Sequence, residues 1–438
     1  MSVKDLALFG GAKSIPFGQL AIDRAPISVE GLEAVSSTLR SGRWSMFTSL
    51  EVSRFEAEFA DYVGAQHAVL VNSCTMAIYA ALRVLGVSKG DLVGAPAYTY
   101  VGTCLPIVET GAEPVWVDIS STSQNIDPEA LRDVHTRSKL SAVVFPLLFG
   151  SEHDALACAA ICKSMGVPIV FDCAQYLGNQ TITAKLVEFG PCCFSFGESK
   201  ILRLGEGGAI VTNSLEDNER LLQFRHEGEA WVGKGGSRVS LSDLSPMDVL
   251  NSLASTHNGL NLRPLAYSAA LGRVKLREMG SVLEATRFNA EVLTEHLSGT
   301  VGLILPAGRT VWWTFPIRVA LADVSREVVL AALLAEGIPV GVHFPRLMPH
   351  HPIFNHYTLN GSIYPNAAAF SSDHLVLPIY PELGRDDMKK IAEIVNYVIS
   401  SKDLSGDRAA SAAEDFLREA KLTELSSGLY MFLAEKDA

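Results

Sequence analysis

Hydrophobic positions recur with two different periods along the chain, and the change of period predicts the order of helices and strands. Near the start, Leu32, Val35 and Leu39 follow a helical spacing after a candidate N-cap at Ser28. From Ala68 onward, short runs rich in β-branched residues, such as "AVLV" and "PIVFDCA", alternate with helical stretches such as "TMAIYAALRVLG". This alternation is typical of a parallel sheet that is covered by helices on both faces.

The second half of the chain has a different pattern. A long amphipathic stretch from about Pro264 to Leu297 predicts one connecting helix, and shorter strands and helices follow it. We therefore expect an α/β fold with a large three-layer α/β/α domain in residues 1–265 and a smaller C-terminal α/β domain in residues 266–401. Residues 402–438 are polar and rich in alanine, and we interpret them as an extension with one further helix at "SAAEDFLREAKL".

Composition narrows the class of function. The 438 residues are 48% hydrophobic and carry a formal net charge of −12, with the acidic residues scattered along the chain. Such a chain lacks the basic surface that nucleic acid or an anionic membrane attracts, so we expect neither partner. The longest apolar runs are about half of what a bilayer-spanning helix needs. Chemistry on a small molecule is the favoured function.

The cysteines indicate a reducing compartment. The sequence has seven cysteines, an odd number, and most of them lie in apolar runs. We also expect no signal peptide at the N-terminus. We therefore expect a cytoplasmic protein with reduced thiols. Cys158 and Cys162 lie one helical turn apart, but no second pair of ligands lies close in sequence, so we predict no metal site.

One glycine-rich segment resembles a nucleotide-binding motif without meeting its requirements. "GEAWVGKG", from Gly228 to Gly235, is close to a P-loop, but Gly235 occupies the position of the required Ser or Thr. The segment before it also has a helical pattern instead of a strand pattern. We interpret this segment as a surface loop.

Three segments at predicted strand ends carry residues suited to catalysis. In "VNSCT", residues 71–75, a strand runs directly into a helix start, which indicates either a phosphate-binding cradle or an ordinary capped helix. Asp172 ends the apolar strand in "VFDCAQ", where a carboxylate either binds a ligand or forms a buried ion pair. Lys200 follows in "FSFGESK", and a lysine among buried strands becomes a usable nucleophile and base. Together these three features describe a pyridoxal-phosphate site.

The same segments resemble a known family. The pieces that carry the resemblance are "FEAEFADYVGAQHAVLVNSCT", "APAYTYVGT", "FDCAQ", "FSFGESKILRLGEGGAIVTN", "GLNLRPLAYSAALG" and "GVHFP". In this order they are similar to the DegT/DnrJ/StrS aminotransferases, which are pyridoxal-phosphate enzymes of fold type I. The resemblance extends from "LALFGGAKSIP" to "LPIYPELGRDDMKKI" and leaves out only the C-terminal extension. It implies an enzyme that acts on keto groups of sugars and cyclitols.

The resemblance implies roles for the residues around the cofactor ring. Lys200 matches the lysine that forms a Schiff base with pyridoxal phosphate, and Asp172 matches the acid that pairs with the pyridine nitrogen. Gln175 matches the residue beside the phenolic oxygen of the cofactor. In "YTY", the aromatic residue that stacks on the ring matches Tyr100 best, with Tyr98 as the second candidate.

Further roles follow for the cofactor phosphate and the substrate. Cys74 and Thr75 match the phosphate contacts at the helix start, and Ser195 matches the hydroxyl that completes them. Asn261 matches an asparagine that reaches the phosphate of a neighbouring subunit, which implies a homodimer with composite active sites. His343 is either a substrate contact or a core histidine.

We therefore expect an aminotransferase that moves an amino group from glutamate or glutamine to a keto group of a nucleotide-linked sugar or of a cyclitol. Antibiotic or other secondary-metabolite biosynthesis and amino-sugar biosynthesis are the expected settings. A pyridoxal-phosphate lyase, desulfurase or dehydratase is the alternative, although the dehydratase branch of the family has histidine in place of Lys200. A cofactor-binding regulator without catalysis is the third reading. We expect three regions to select the acceptor, namely "WSMFTS", residues 226–240 and the surroundings of His343.

Overall fold

The structure is a computed structural model that describes residues 6–16, 20, 27–229, 245–247, 255–306, 308–357, 363–419, 421–425 and 429–433. The chain divides into two compact units. The large unit comprises Ile27–Met279 and Met348–Tyr364, and the small unit comprises Met1–Pro26, Gly280–Leu347 and Pro365–Ala438. The domain boundaries at residues 265 and 401 stay a prediction.

A mostly parallel sheet forms the centre of the large unit. Its strands are β1 (His67–Val71), β2 (Leu92–Pro96), β3 (Glu113–Val117), β4 (Ala142–Pro146), β5 (Ile169–Asp172), β6 (Cys192–Ser195) and β7 (Gly208–Thr212). In the described part of this unit the seven strands are ordered β1-β7-β6-β5-β4-β2-β3. Strand β7 is antiparallel to both of its neighbours, β1 and β6, and the other neighbouring pairs in this set are parallel. The predicted mostly parallel sheet is confirmed.

Helices precede, connect and follow these strands. They are α1 (Val29–Arg40), α2 (Glu51–Val63), α3 (Cys74–Val84), α4 (Val101–Glu109), α5 (Pro128–Ser138), α6 (Ala155–Met165), α7 (Gln180–Leu186) and α8 (Leu215–Arg225). The hydroxyl of Ser28 accepts a hydrogen bond from the amide of Gly31, so the predicted N-cap of α1 is present. The predicted long helix is α9 (Ala266–Leu297), and the division between the two units falls within it.

Aromatic packing anchors the strand that leads to Lys200. The ring of Phe59 on α2 meets the rings of Phe194 and Phe196 edge to face, with a centroid separation of 5.2 Å in each pair. All three side chains are buried, and such pairs add specific geometry to the hydrophobic burial. Because Phe194 and Phe196 flank Ser195, this cluster holds the end of β6 in place. The turn that carries Lys200 starts directly after it.

An antiparallel sheet forms the small unit. The elements are β8 (Leu303–Ile304), β9 (Phe315–Val319), α10 (Arg326–Ala335), β10 (Gly341–His343), α11 (Pro365–Asp373), β11 (His374–Leu377), α12 (Arg385–Ile399), α13 (Asp407–Glu419), β12 (Lys421–Leu425) and β13 (Leu429–Leu433). Among the described residues its six strands are ordered β12-β13-β10-β11-β9-β8. No helix in the described parts of the chain combines the length and apolar character needed to cross a membrane.

The C-terminal extension contributes to the core of the small unit. Helix α13, which is present where the sequence predicts one, buries Ala409 and Ala413 in the same hydrophobic cluster as the α10 residue Val329. The guanidinium group of Arg408 lies 5.2 Å from the ring centroid of Phe9, within the range of a cation–π contact. Strand β13 pairs with β10 and β12. The extension is therefore integrated into the fold of this unit.

Integration of the extension can be tested on α13. We expect Ala413→Asp to lower the free energy of unfolding by about 2 kcal/mol or more, because it places an unpaired carboxylate in an apolar core. Ala410→Asp is the matched control, because Ala410 is exposed on the same helix. Its effect is expected to stay within about 0.5 kcal/mol. Equal effects of the two variants in urea unfolding would contradict this assignment.

Candidate active site

The predicted cofactor residues of the large unit lie where strands of its sheet end or in the segments that follow. Residues 72–75, which we call the phosphate cradle, follow β1, and Tyr100 follows β2. Asp172 is the last residue of β5, and Ser195 is the last residue of β6. In open parallel sheets the carboxyl ends of the strands are the usual place for ligands.

A glycine brings the phosphate cradle against the sheet. Gly208 of β7 pairs with Val71 on one side and with Ser195 on the other. A Cβ atom at Gly208 would lie 2.5 Å from the carbonyl carbon of Ser73 and 2.7 Å from the amide nitrogen of Cys74. These distances are too short for any side chain, so glycine is required for the close approach.

The start of α3 has the properties of an anion site. The hydroxyl of Ser73 accepts a hydrogen bond from the amide of Met76 at 3.2 Å and caps the helix. The amides of Cys74 and Thr75 belong to the first helical turn, where the backbone offers no acceptor within the helix. These amides and the positive end of the helix dipole favour a phosphate group.

The hydroxyl of Thr75 and the ring of Tyr100 both lie close to Gly102. A Cβ atom at Gly102 would lie 2.9 Å from Thr75 Oγ1 and 2.7 Å from a carbon of the Tyr100 ring. Tyr100 is partly exposed, whereas the side chain of Tyr98 is completely buried. A ring must be accessible to stack on a cofactor, so the geometry favours Tyr100 over Tyr98. Its stacking role stays a prediction.

Asp172 is a buried carboxylate that is held by several donors. Its Oδ2 accepts a hydrogen bond from the hydroxyl of Thr103 at 2.7 Å, and its Oδ1 accepts one from the amide of Ala174 at 3.0 Å. The thiol of Cys74 lies 3.7 Å from Oδ1 and donates to it. Burial raises the pKa of Asp172, while these donors and the nearby charge of Lys200 oppose that rise.

Lys200 lies in a turn directly after β6, and its amide donates to the carbonyl of Gly197 at 3.0 Å. Only 6% of the residue is exposed. Burial lowers the pKa of the Lys200 amine, and the negative charge of Asp172 opposes this effect. A partly desolvated amine of this kind is suited to act as a nucleophile and as a base.

Gln175 and Ser195 are oriented by backbone amides. Gln175 Oε1 accepts a hydrogen bond of 2.6 Å from the amide of Phe149, so its NH₂ group is the end left to donate to a ligand. Phe149 has a positive φ of 54°, an uncommon conformation for a residue with a side chain. The hydroxyl of Ser195 accepts a hydrogen bond from the amide of Gly197 at 3.4 Å.

Asn261 lies in a different part of the large unit. It forms a β-bridge with His226, and its Oδ1 accepts a hydrogen bond from Arg263 Nε at 2.7 Å. In the described part of the chain, its hydrogen bond and its bridge join it to Arg263 and His226, not to Asp172 or Lys200. This placement agrees with a residue that serves another subunit, although that role stays a prediction.

His343 belongs to the small unit and is fully buried. Its ring centroid lies 5.0 Å from that of Trp313 and 5.5 Å from that of Phe344. Its amide donates to His374 Nε2 at 3.1 Å, and burial lowers the pKa of His374 to about 4. These surroundings are those of a core histidine, and a substrate contact stays a prediction. Residues 230–240, most of the 226–240 segment that is expected to help select the acceptor, lie outside the described residues.

One group of possible metal ligands occurs in the described part of the chain. His226, Glu227 and Glu229 each offer a ligand atom within 4.8 Å of the others. Arg263 also pairs with Glu227 at 3.1 Å, and His226 Nε2 lies 3.2 Å from Glu229. The Arg263–Glu227 ion pair and the contact of His226 with Glu229 account for these positions without a metal. The absence of a functional metal stays a prediction.

Thr103 and Thr99 are site residues that the sequence reasoning missed. Their hydroxyl oxygens lie 3.0 Å apart, and Thr103 also contacts Asp172. Both residues occur in "YTYVGT", where the resemblance assigns a role only to an aromatic residue. Thr99 precedes α4 and Thr103 lies in its first turn, so no helical spacing marks the two threonines as a pair.

Comparisons with known proteins identify relatives that match most of the chain. Spore coat polysaccharide biosynthesis protein SpsC of Bacillus subtilis (strain 168) is 31% identical over 389 residues, which cover 86% of this chain and 96% of that protein. GDP-perosamine synthase of Vibrio cholerae is 27% identical over 361 residues, with coverages of 81% and 92%. The X-ray structure of S. venezuelae DesV in complex with a ketimine intermediate superposes with a TM-score of 0.72 at 28% identity, with coverages of 85% and 95%.

The family assignment rests on most of the chain. The sequence profile of the DegT/DnrJ/EryC1/StrS aminotransferase family matches residues 26–396. The mostly parallel sheet with its covering helices is the α/β architecture of fold type I pyridoxal-phosphate enzymes, so the predicted fold class is confirmed. The chain belongs to the DegT/DnrJ/EryC1/StrS aminotransferase family.

Proposed function

We propose that this aminotransferase moves an amino group from glutamate or glutamine to the keto group of a sugar, with pyridoxal phosphate as its cofactor. The observation that carries the proposal is the burial of Lys200 beside Asp172 at the carboxyl edge of the large sheet. This pair supplies an amine and an acid at one site. Their separate roles in catalysis are part of the proposal.

The residues present fit pyridoxal phosphate. The phosphate cradle offers amides at a helix start, and Gly208 lets this cradle approach the sheet. Asp172 provides a carboxylate for a protonated ring nitrogen, and Gln175 retains an NH₂ donor for a phenolic oxygen. Tyr100 provides an accessible ring for stacking.

The chemistry is divided between cofactor and protein. When bound, pyridoxal phosphate supplies an aldehyde that condenses with amines and a ring that withdraws electrons. The Lys200 amine accepts a proton from the α carbon of the amino donor as a base and returns a proton as an acid. Asp172 would hold a proton on the ring nitrogen of the bound cofactor. The burial of both residues limits the access of water to this proton transfer.

The relatives support a sugar as the acceptor. SpsC is named for polysaccharide biosynthesis, and the Vibrio cholerae relative is named as a GDP-perosamine synthase. A nucleotide-linked keto sugar is therefore our first candidate, and a keto cyclitol is the second. Antibiotic biosynthesis stays a prediction. We also propose a cytoplasmic location, which the seven free and buried cysteines support.

The buried cysteines count against a desulfurase. Such an enzyme needs a reactive, accessible thiol, whereas every cysteine of this chain is buried. Burial raises the pKa of Cys158 and Cys162, which are among the less reactive thiols for this reason. We therefore do not propose this chemistry for the site.

Replacement of the proposed amine tests the function. We expect Lys200→Ala to lower the rate of amine transfer from glutamate to a nucleotide-linked keto sugar by about 1000-fold or more, because it removes the acid and base. Added methylamine is expected to restore part of the rate. Lys185→Ala, which removes an exposed lysine of α7, is the control and should retain full activity. Full turnover by Lys200→Ala would refute the proposal.

The charge of Asp172 can be tested separately. We expect Asp172→Asn to lower the single-turnover rate with glutamate by at least about 100-fold, because a neutral amide does not stabilise a protonated ring nitrogen. The cofactor phosphate should still bind at the start of α3. Asp133→Asn, which alters an exposed acid on α5, is the control. An unchanged rate in Asp172→Asn would exclude the proposed role.

A homodimer forms part of the proposed function. Helix α1 exposes Val29, Leu32 and Leu39 on one face, with exposed fractions of 84%, 59% and 43%. Trp44, which follows this helix, is also exposed to 53%. An apolar surface of this kind is typical of a subunit interface. A second copy of the chain would bury it and would allow Asn261 to reach the partner's phosphate.

The interface can be tested by a single charge. We expect Leu32→Glu to shift the protein from dimer to monomer in sedimentation velocity, because an unpaired carboxylate would be buried at the interface. Ser37→Glu is the matched control, because Ser37 is exposed on another face of α1. It should leave the dimer intact. A wild-type monomer, or a Leu32→Glu dimer of unchanged stability, would argue against this interface.

A further inference from the structure

We propose that Thr103 is the positioning residue of Asp172, and that Thr99 orients Thr103 through a chain of hydroxyl hydrogen bonds. The inference rests on the proposed function in one respect, namely that Asp172 pairs with the ring nitrogen of the cofactor. It adds two residues that neither the motifs nor the family assignment identify. Neither threonine is placed to contact the substrate in this account.

The geometry of this threonine chain is compact and buried. Thr103 Oγ1 donates to Asp172 Oδ2 at 2.7 Å, and Thr99 Oγ1 lies 3.0 Å from Thr103 Oγ1. The residues Thr99 and Thr103 are exposed to only 0% and 1%. Water therefore has little access to replace either hydroxyl. A donor at 2.7 Å from a carboxylate is a charge-assisted hydrogen bond, which is among the stronger kinds.

The number of available hydroxyl protons fixes the direction of the hydrogen bonds that run from Thr99 through Thr103 to Asp172. An ionised carboxylate only accepts hydrogen bonds, so the single hydroxyl proton of Thr103 is committed to Asp172. Thr103 must then accept in its contact with Thr99, and Thr99 must donate. The two hydroxyl groups thus polarise each other towards the carboxylate. This direction is maintained as long as Asp172 is ionised.

The other carboxylate oxygen is held independently. The amide of Ala174 and the thiol of Cys74 both donate to Asp172 Oδ1. Burial raises the pKa of Cys74 well above its usual range, so the thiol keeps the proton it donates. Both oxygens of Asp172 therefore have fixed donors. This arrangement fixes the plane of the carboxylate and not only its location.

The same donors keep the carboxylate charged. Burial raises the pKa of Asp172, and the hydrogen bond from Thr103 is the largest of the effects that oppose this rise. Removal of the Thr103 hydroxyl leaves the effect of burial less opposed, so the pKa of Asp172 must rise. A purely structural threonine would change stability without this shift. The ionisation of Asp172 is therefore the measurement that separates the two roles.

The experiment uses the full chain without cofactor. The pKa of Asp172 is measured by ¹³C NMR of protein with labelled aspartate, with Asp172→Asn to identify the signal. We expect Thr103→Val to raise this pKa by about one unit or more, as expected for loss of a charge-assisted donor. Thr103→Ser should restore the wild-type value, and Thr99→Val should raise it by a smaller amount.

A threonine at the C-terminal end of the same helix provides the control. Thr110 follows α4, and its hydroxyl donates to the carbonyl of Ile107 at 2.6 Å, away from Asp172. Thr110→Val should leave the pKa of Asp172 unchanged. In the enzyme loaded with pyridoxal phosphate, Thr103→Val is expected to lower kcat by about tenfold with little change in KM, since it acts through Asp172.

The outcomes distinguish this inference from the proposed function. An unchanged pKa of Asp172 in folded Thr103→Val, or failure of Thr103→Ser to restore it, overturns the inference even if Lys200 proves to be essential. If Thr103→Val does not fold, an unchanged pKa in Thr99→Val overturns it. If the wild-type protein binds no pyridoxal phosphate, the proposed function fails, while the cofactor-free titration still measures the threonine chain.

Discussion

The burial of a carboxylate and an amine at one edge of a sheet is the interaction on which the account depends. Alone, each of these groups would be driven towards its neutral form, because a charge in a desolvated site lacks the stabilisation that water provides. Here the charge of Asp172 raises the pKa of Lys200 and the charge of Lys200 lowers that of Asp172. The pair therefore retains its charges in part while remaining shielded from water. An enzyme that transfers protons to and from carbon needs a base that is shielded from water and only partly charged.

The fold supplies this pair through the direction of its strands. Parallel neighbours β4, β5 and β6 end on the same side, so Asp172 and the turn with Lys200 come together without a long connection. The antiparallel strand β7 then brings Gly208 under the phosphate cradle. Aromatic contacts of Phe59 with the residues on either side of Ser195 fix the end of β6. Packing next to the site thus sets its geometry.

The parts of this arrangement differ in how far they can be predicted from sequence. Asp172 and Lys200 can be predicted from the sequence because a charged residue at the end of an apolar strand, or shortly after one, is rare. Helix α9 can be predicted because its hydrophobic periodicity extends over many turns. Thr103 has no such signal, since a threonine in an apolar helix is common and its partner is 69 residues away in sequence. The pairing of β13 with β10 also depends on contacts between distant segments, so no local pattern predicts it.

The acceptor is the least predictable property, because it depends on surface residues that follow no periodic rule. The proposed covalent bond between Lys200 and the cofactor is, in contrast, directly measurable. Purified protein loaded with pyridoxal phosphate and reduced with borohydride should carry the cofactor on one lysine, and peptide mass spectrometry should locate it at Lys200. Modification of another lysine, or none at all, would contradict the central claim.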